Sequence, residues 1–247
     1  MFLDFNKMVA ELGSIETLKT DFISNVSHEI KTPISIMQNY AEMLKVEKLS
    51  DSKRIMYAET IEIANKRLAS LISNILKLNK LENQKISLEV QSYNVCEQLC
   101  NCAISFQELW EEKNLEFEAE IEDIGIIYAD ESLMEIVWNN LLSNAIKFSK
   151  EGGKVRISET STEDTITISI SDTGCGIDDT TIKHIFDKFY QGDTSHTKQG
   201  NGLGLTLVSR IIELSNATIT VESKINEGTT FTVNIPVNYD KDEQENE

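Results

Sequence analysis

The 247-residue chain sets 23 Lys and Arg against 41 Asp and Glu, a formal charge of −18, with 40% hydrophobic and 26% charged residues. That length suffices for one or two domains with a sizeable core. The charge argues against nucleic-acid binding by counterion release and disfavours docking on anionic lipid. No run of about 18 apolar residues is present, so no membrane-spanning helix is predicted, and the start lacks a basic-then-apolar signal pattern. Cys96, Cys100, Cys102 and Cys175 lack the paired spacing of a zinc site and read as small apolar residues of a reducing compartment.

In chain order, Ile15, Leu18, Phe22, Val26, Ile30, Met37, Ala41 and Leu44 recur at spacings of three, four or seven, which predicts an amphipathic helix. The stretch EKLSDSK interrupts it and offers Ser50 or Asp51 as the cap of a second helix. In that helix Tyr57, Ile61, Ala64, Leu68, Leu71, Ile75 and Leu78 form a heptad seam. Two helices joined by a short loop make an antiparallel hairpin. One hairpin cannot bury both stripes, whereas two copies in a four-helix bundle can, so a homodimer is predicted.

From about Ile86 the texture changes. The β-rich runs ISLEV, LEFEAEI, KVRISET, TITISIS, ATITVES and TTFTVNI alternate with helical stretches over 95–112, 131–148 and 203–214. Such alternation predicts an α/β sandwich with helices on one face of a sheet. The closing residues, DKDEQENE, read as a solvated acidic tail.

Glycines concentrate in DTGCGI, Asp172 to Ile177, after a strand, and in GNGLGL, Gly200 to Leu205, opening a helix. Glycine lets backbone approach a ligand, and a helix N-terminus offers free N–H groups to phosphate. Each pair alone is equally well a tight turn. The preceding helix, WNNLLSNAIKFS, carries Asn140 and Asn144 on one face, extended by Lys147. Amides in a helix packed by Ile136, Leu141, Leu142 and Ile146 need partners. Capping of neighbouring loops supplies them; so does a Mg²⁺-phosphate complex, with a hard oxygen for the metal and a cation for the phosphates.

These segments resemble the ATP-binding domain of the sensor histidine kinases, the Bergerat or GHKL fold. WNNLLSNAIKFS resembles its N box, DTGCGI its first glycine box, IFDKFY its F box and GNGLGL its second glycine box. The resemblance implies that Asn144 ligates Mg²⁺, with Asn140 beside it, that Lys147 contacts phosphate, and that Phe148 packs near the base. It implies that Asp172 accepts a hydrogen bond from the adenine amino group, favouring ATP over GTP, and that Gly174 and Gly176 let the chain pass close to the base. Gly200, Gly202 and Gly204, with Leu205 after them, would form the phosphate-side loop. Residues 187–201 would be the lid, anchored by Phe186 and Phe189. Many family members carry arginine where this chain has Gln191, which leaves Lys198 and His196 as lid groups for phosphate.

The stretch NVSHEIKTP puts His28 beside Glu29, with Pro33 inside the same helical pattern. A neutral imidazole nitrogen can attack a phosphoryl group in line, and a neighbouring carboxylate can accept the proton that the ring sheds. Imidazole is largely neutral at cytosolic pH. Pro33 has no N–H, so the Glu29 carbonyl loses its helical partner and a bend beside the pair is expected. FISNVSHEIKTPI resembles the H box of the same kinases, and the hairpin their dimerisation and phosphotransfer domain. The pattern His-Glu-x-x-Thr, matched by His28, Glu29 and Thr32, implies phosphatase activity towards a bound regulator. FNKMVAELGSIETLKTDF resembles the exit helix of a HAMP linker, which implies the cytoplasmic portion of a membrane-anchored bacterial receptor.

The expectation is an α+β multidomain chain. A lead-in helix over 1–20 and a dimerisation and histidine phosphotransfer domain over 21–83 precede an ATP-binding domain over 84–239 and an acidic tail over 240–247. The expected partners are ATP, Mg²⁺, a second copy and a response-regulator receiver domain, with no nucleic acid, and with membrane only through segments outside this chain. The rivals are an ATPase of the topoisomerase or chaperone class and a degenerate kinase acting as a scaffold or phosphatase.

Overall fold

The computed structural model describes residues 2–46, 48–83, 87–121, 125–192 and 201–237. Helix α1, Phe2–Met43, and helix α2, Asp51–Asn83, form the hairpin. α1 continues unbroken through Pro33, which is buried. The second helix opens where the cap was expected, with Arg54 N–H donating to the Ser50 carbonyl at 3.0 Å. The rings of Tyr40 and Tyr57 meet edge-on at 5.3 Å near the turn.

The heptad seam of α2 is the face it buries. Ala64, Leu71 and Leu78 are nearly inaccessible, and Tyr57, Ile61, Leu68 and Ile75 are half-buried. Other apolar side chains of the hairpin, including Ile23, Ile34, Ile55, Ile63, Ile72 and Leu76, are exposed. Fully burying such a side chain would contribute roughly 1.5–3 kcal/mol.

The remaining elements are β1 (Val90–Asn94), α3 (Val95–Ser105), α4 (Gln107–Glu112), β2 (Glu116–Glu120), β3 (Ile126–Asp130) and α5 (Glu131–Phe148). They continue with β4 (Lys154–Ser161), β5 (Thr165–Asp172), α6 (Asp179–Ile182), α7 (Gly204–Leu214), β6 (Thr218–Lys224) and β7 (Gly228–Pro236). The main sheet runs β2-β4-β5-β7-β6, and β1 pairs with β3 in a separate antiparallel ribbon. Alternation of side chains puts Val155 and Ile157 of β4, Ile166, Ile168 and Ile170 of β5, and Phe231, Val233 and Ile235 of β7 on one buried face. Register stacks them in rows, with Ile157 opposite Ile170 and Ile170 opposite Phe231. α3, α5 and α7 contribute Leu99, Val137, Trp138, Leu141, Leu207 and Ile211 to the same core.

Three features differ from the sequence expectations. The helix expected over 95–112 is two helices, because Phe106 leaves helical geometry at φ −101°, ψ 8°. The first strand lies at 90–94, overlapping ISLEV only at Val90. β3 was not expected at all.

The C-terminal half of α2 packs on α7. Leu71, Leu78 and Leu81 join the core of the α/β domain, and Arg210 Nε donates to the Leu81 carbonyl at 3.3 Å. Lys188 and Glu82 form an ion pair at 2.7 Å across the same joint.

Candidate functional site

α5 supplies the first group of site residues, and its ends are fixed by side chains. Asp130 caps the start, accepting from Leu133 N–H at 3.2 Å and from the Ser132 hydroxyl at 2.7 Å. Gln98 ties α3 to it, accepting from Trp138 Nε1 at 2.8 Å and donating to the Glu131 carbonyl at 2.7 Å. At the far end Lys113 Nζ donates to the carbonyls of Ile146 and Lys147, both at 2.8 Å, placing a cation where the helix dipole is negative.

Between these ends, Asn140 and Asn144 lie one turn apart and are both half-buried. The Asn140 amide donates to the Ile136 carbonyl at 2.7 Å. Asn144 meets no hydrogen-bonding group among the described residues, so its carbonyl oxygen is available to a ligand. Lys147 Nζ stands 4.5 Å from the centre of the Phe148 ring.

β5 delivers Asp172 against the end of α5. Gly174 makes the approach possible: a Cβ there would fall 2.4 Å from the Phe148 carbonyl oxygen and 2.5 Å from Asp172 Oδ1. Burial pushes the Asp172 carboxyl up to about 6, although backbone N–H groups of Gly174 and Thr229 pull it the other way. A half-buried acceptor held by backbone suits recognition of an amino group. Gly176 lies against the backbone of Lys224 and Ile225.

α7 has no side-chain cap from Leu203, unlike α5, and the Leu203 N–H itself donates to Asn201 Oδ1 at 3.2 Å. Helix N-termini with free N–H groups can bind phosphate. Leu203 is fully buried and anchors the start of α7, and Leu205 packs partly against the core. Gly204 brings the start of α7 onto α5, where a Cβ would lie 2.5 Å from Asn140 Oδ1. Gly202, at φ +65°, folds back on Phe189, whose N–H donates to the Gly202 carbonyl at 2.9 Å. Phe186 accepts a bond from the Thr206 hydroxyl at 3.1 Å, and both phenylalanines pack on the core. The two ends of the expected lid are thus tied together. Lys198, Gly200 and His196 lie outside the described residues.

The other expected centre is on α1. The His28 ring is exposed and meets no partner among the described residues. Glu29, one residue on, turns towards α2, where Arg67 donates to Oε2 at 3.1 Å. The Thr32 hydroxyl donates to the His28 carbonyl at 3.1 Å. Sequence reasoning missed Arg67 and Lys113. Each acts across more than 30 residues on a partner 38 or 33 positions away, and no periodicity marks such a pair.

Residues 18–84 match the family model described as the His Kinase A (phospho-acceptor) domain. Residues 129–239 match that of the histidine kinase-, DNA gyrase B-, and HSP90-like ATPases. The heme sensor protein HssS of Staphylococcus saprophyticus is 35% identical over 230 residues, 93% of this chain and 49% of HssS. The chain therefore spans about half the length of that relative. Among solved structures, Acinetobacter baumannii histidine kinase AdeS is 25% identical with a TM-score of 0.69, covering 86% of this chain and 98% of that one. ShkA, solved in complex with AMPPNP, is 26% identical with a TM-score of 0.66, covering 91% of this chain and 46% of ShkA.

Proposed function

This chain belongs to the sensor histidine kinases and carries their catalytic core, and we propose that it moves the γ-phosphoryl group of ATP to His28 and on to an aspartate of a response regulator. The observation that carries the proposal is an exposed imidazole, with no partner among the described residues and a carboxylate next in sequence, in the same chain as Asn144, Asp172 and the close-packed Gly174 and Gly204. Asp172 would accept from the adenine amino group, Gly174 and Gly176 would admit the base, and Phe148 would pack near it. Lys147 and the uncapped start of α7, with Gly200, Gly202, Gly204 and Leu205, would meet the phosphates, joined by Lys198 from the lid. Asn144 fits a magnesium ion as a hard oxygen donor, and Mg²⁺ typically takes one or two protein ligands with phosphate and water completing the set. When bound, the ion supplies neutralisation of phosphate charge.

The chemistry of the chain itself is simple. One nitrogen of His28 forms a bond to the γ-phosphorus as the bond to the β,γ-bridging oxygen breaks and ADP leaves. The proton on the other ring nitrogen passes to Glu29. The resulting phosphoramidate is a reactive donor. In the second step its N–P bond breaks, the aspartate oxygen takes the phosphoryl group, and the ring regains a proton. Thr32, a turn after His28, would orient water for the reverse duty, dephosphorylation of the regulator. Exposed apolar side chains of the hairpin would be covered by a second copy in a four-helix bundle. The natural protein would continue beyond this core, as the cytoplasmic portion of a membrane-anchored receptor; among the described residues no helix is long and apolar enough to cross a membrane.

The deciding experiment is incubation with γ-labelled ATP and Mg²⁺, wild type against His28→Gln. Acid-labile label that depends on His28 is expected. Equal labelling of the two proteins, or none in either, defeats the proposal.

A further inference from the structure

We propose that Arg67 is a positioning residue for the proton acceptor of autophosphorylation. The inference rests on the reading of His28 as phosphoryl acceptor and Glu29 as base. Adjacent residues on a helix diverge by about 100°, so Glu29 cannot share the outward direction of His28 by default. Instead its side chain is 19% exposed, against the α2 face of the hairpin, and Arg67 is 31% exposed on the opposite wall. Of the two Glu29 carboxylate oxygens, Oε2 accepts from the Arg67 guanidinium at 3.1 Å. Oε1 has no partner among the described residues. One oxygen is therefore held and the other is left to receive a proton.

A carboxylate on a rotatable stem is a poor base unless its geometry is fixed, because misplacement by an ångström costs heavily in rate. Arg67 supplies the fixed point. It is rooted in α2, whose Ala64 and Leu71 on either side are buried in the seam, so its own backbone is well anchored. As the ring nitrogen bonds to phosphorus and ADP departs, the proton from the second nitrogen goes to Oε1, while Oε2 stays with the guanidinium. The orientation of the base then follows from how α1 and α2 are set against each other, rather than from α1 alone.

The test uses the full chain and initial rates of acid-labile labelling over a range of Mg-ATP concentrations. Glu29→Gln removes the base and is expected to slow kcat by about 100-fold. Arg67→Gln leaves the base unanchored and is expected to slow kcat by about 10-fold with KM for Mg-ATP unchanged. Arg67→Lys keeps the charge and is expected to recover about a third of the lost rate. In the Glu29→Gln background, Arg67→Gln is expected to cost less than about twofold more, since there is no base left to position. Arg67→Met, which keeps the apolar stem, repeats the measurement if glutamine disturbs folding. A normal or faster kcat, a rise in KM alone, or effects that multiply in the double variant overturn the role of Arg67. Label that survives His28→Gln overturns the underlying reading instead.

Discussion

Gly174 donates its backbone N–H to Oδ1 of Asp172 at 2.8 Å, yet burial holds that carboxyl at about 6, above its ordinary 3.8. Desolvation of the charged form thus outweighs two backbone hydrogen bonds. Between these two values the folded protein binds a proton that the unfolded chain has released, so stability falls as pH rises through this window and stays lower above it. The shift corresponds to at most about 3 kcal/mol. Asp172→Asn is therefore expected to melt higher than wild type near pH 8, with the gap closing below about pH 4. The same variant is expected to lose at least about tenfold in ATP affinity, because the amide puts an NH₂ donor where one of the two acceptor oxygens stood, facing either the Gly174 N–H or the adenine amino group. Melting curves and calorimetric titration check both; a variant melting no higher than wild type at pH 8 removes the desolvation argument.

Gly204 separates function from stability in another way. It opens α7 without a left-handed φ, so alanine suits its backbone and gains up to about 1 kcal/mol in helix propensity. A Cβ there would lie 2.5 Å from Asn140 Oδ1, and the other atom it approaches is Asn140 Cγ at 3.5 Å. The amide can swing away, so the fold survives while Asn140 leaves the face proposed for the nucleotide. Gly204→Ala is expected to melt within about 1 kcal/mol of wild type and to bind ATP at least about tenfold more weakly. Full affinity in this variant detaches Asn140 from the nucleotide.

Much of this arrangement is legible in the sequence, and the exceptions share a cause. α5 was expected over 131–148 and spans those residues, because a heptad-like apolar pattern, an aspartate cap and a following Ser-Lys-Glu-Gly turn all agree. The seam of α2 was legible from its strict four-three spacing. β3 was not, because IIYAD runs straight into the helix that its own last residue caps, with no turn residue between. The division at Phe106 carries neither glycine nor proline. The close approaches at Gly174 and Gly204 and the shared face of Asn140 and Asn144 could be anticipated because each is a local pattern of residues. Arg67 with Glu29, and Lys113 with the end of α5, could not, since each is a single long-range pairing that only the folded chain creates.

The joint between hairpin and ATP-binding domain contains both an ion pair and apolar contacts, and their magnitudes differ. Lys188 and Glu82 are 41% and 33% exposed, so solvent screens their 2.7 Å contact to no more than about 1 kcal/mol. Leu78 is 1% exposed in the common core, where truncation leaves a cavity. Leu78→Ala is expected to destabilise by roughly 2–4 kcal/mol, and Lys188→Ala by less than about 0.5 kcal/mol. Urea unfolding of the two variants decides this; a larger loss for Lys188→Ala shows that charge, not apolar burial, holds the joint.

Thr32 offers the sharpest separation of the two proposed activities. Its hydroxyl donates at 3.1 Å to the His28 carbonyl, a bond within one exposed helical turn. Removing it breaks no tertiary hydrogen bond among the described residues, and alanine is the better helix former by up to about 0.7 kcal/mol. Neither the His28 ring nor the Glu29–Arg67 pair depends on that hydroxyl. Thr32→Ala is therefore expected to autophosphorylate within about twofold of wild type and to dephosphorylate a phosphorylated regulator at least about tenfold more slowly. Both rates are read on the same preparation, from labelled ATP and from prelabelled regulator. Equal slowing of the two places the hydroxyl in the shape of the His28 turn, whereas an unchanged dephosphorylation rate takes Thr32 out of the chemistry and leaves water to be oriented by another group.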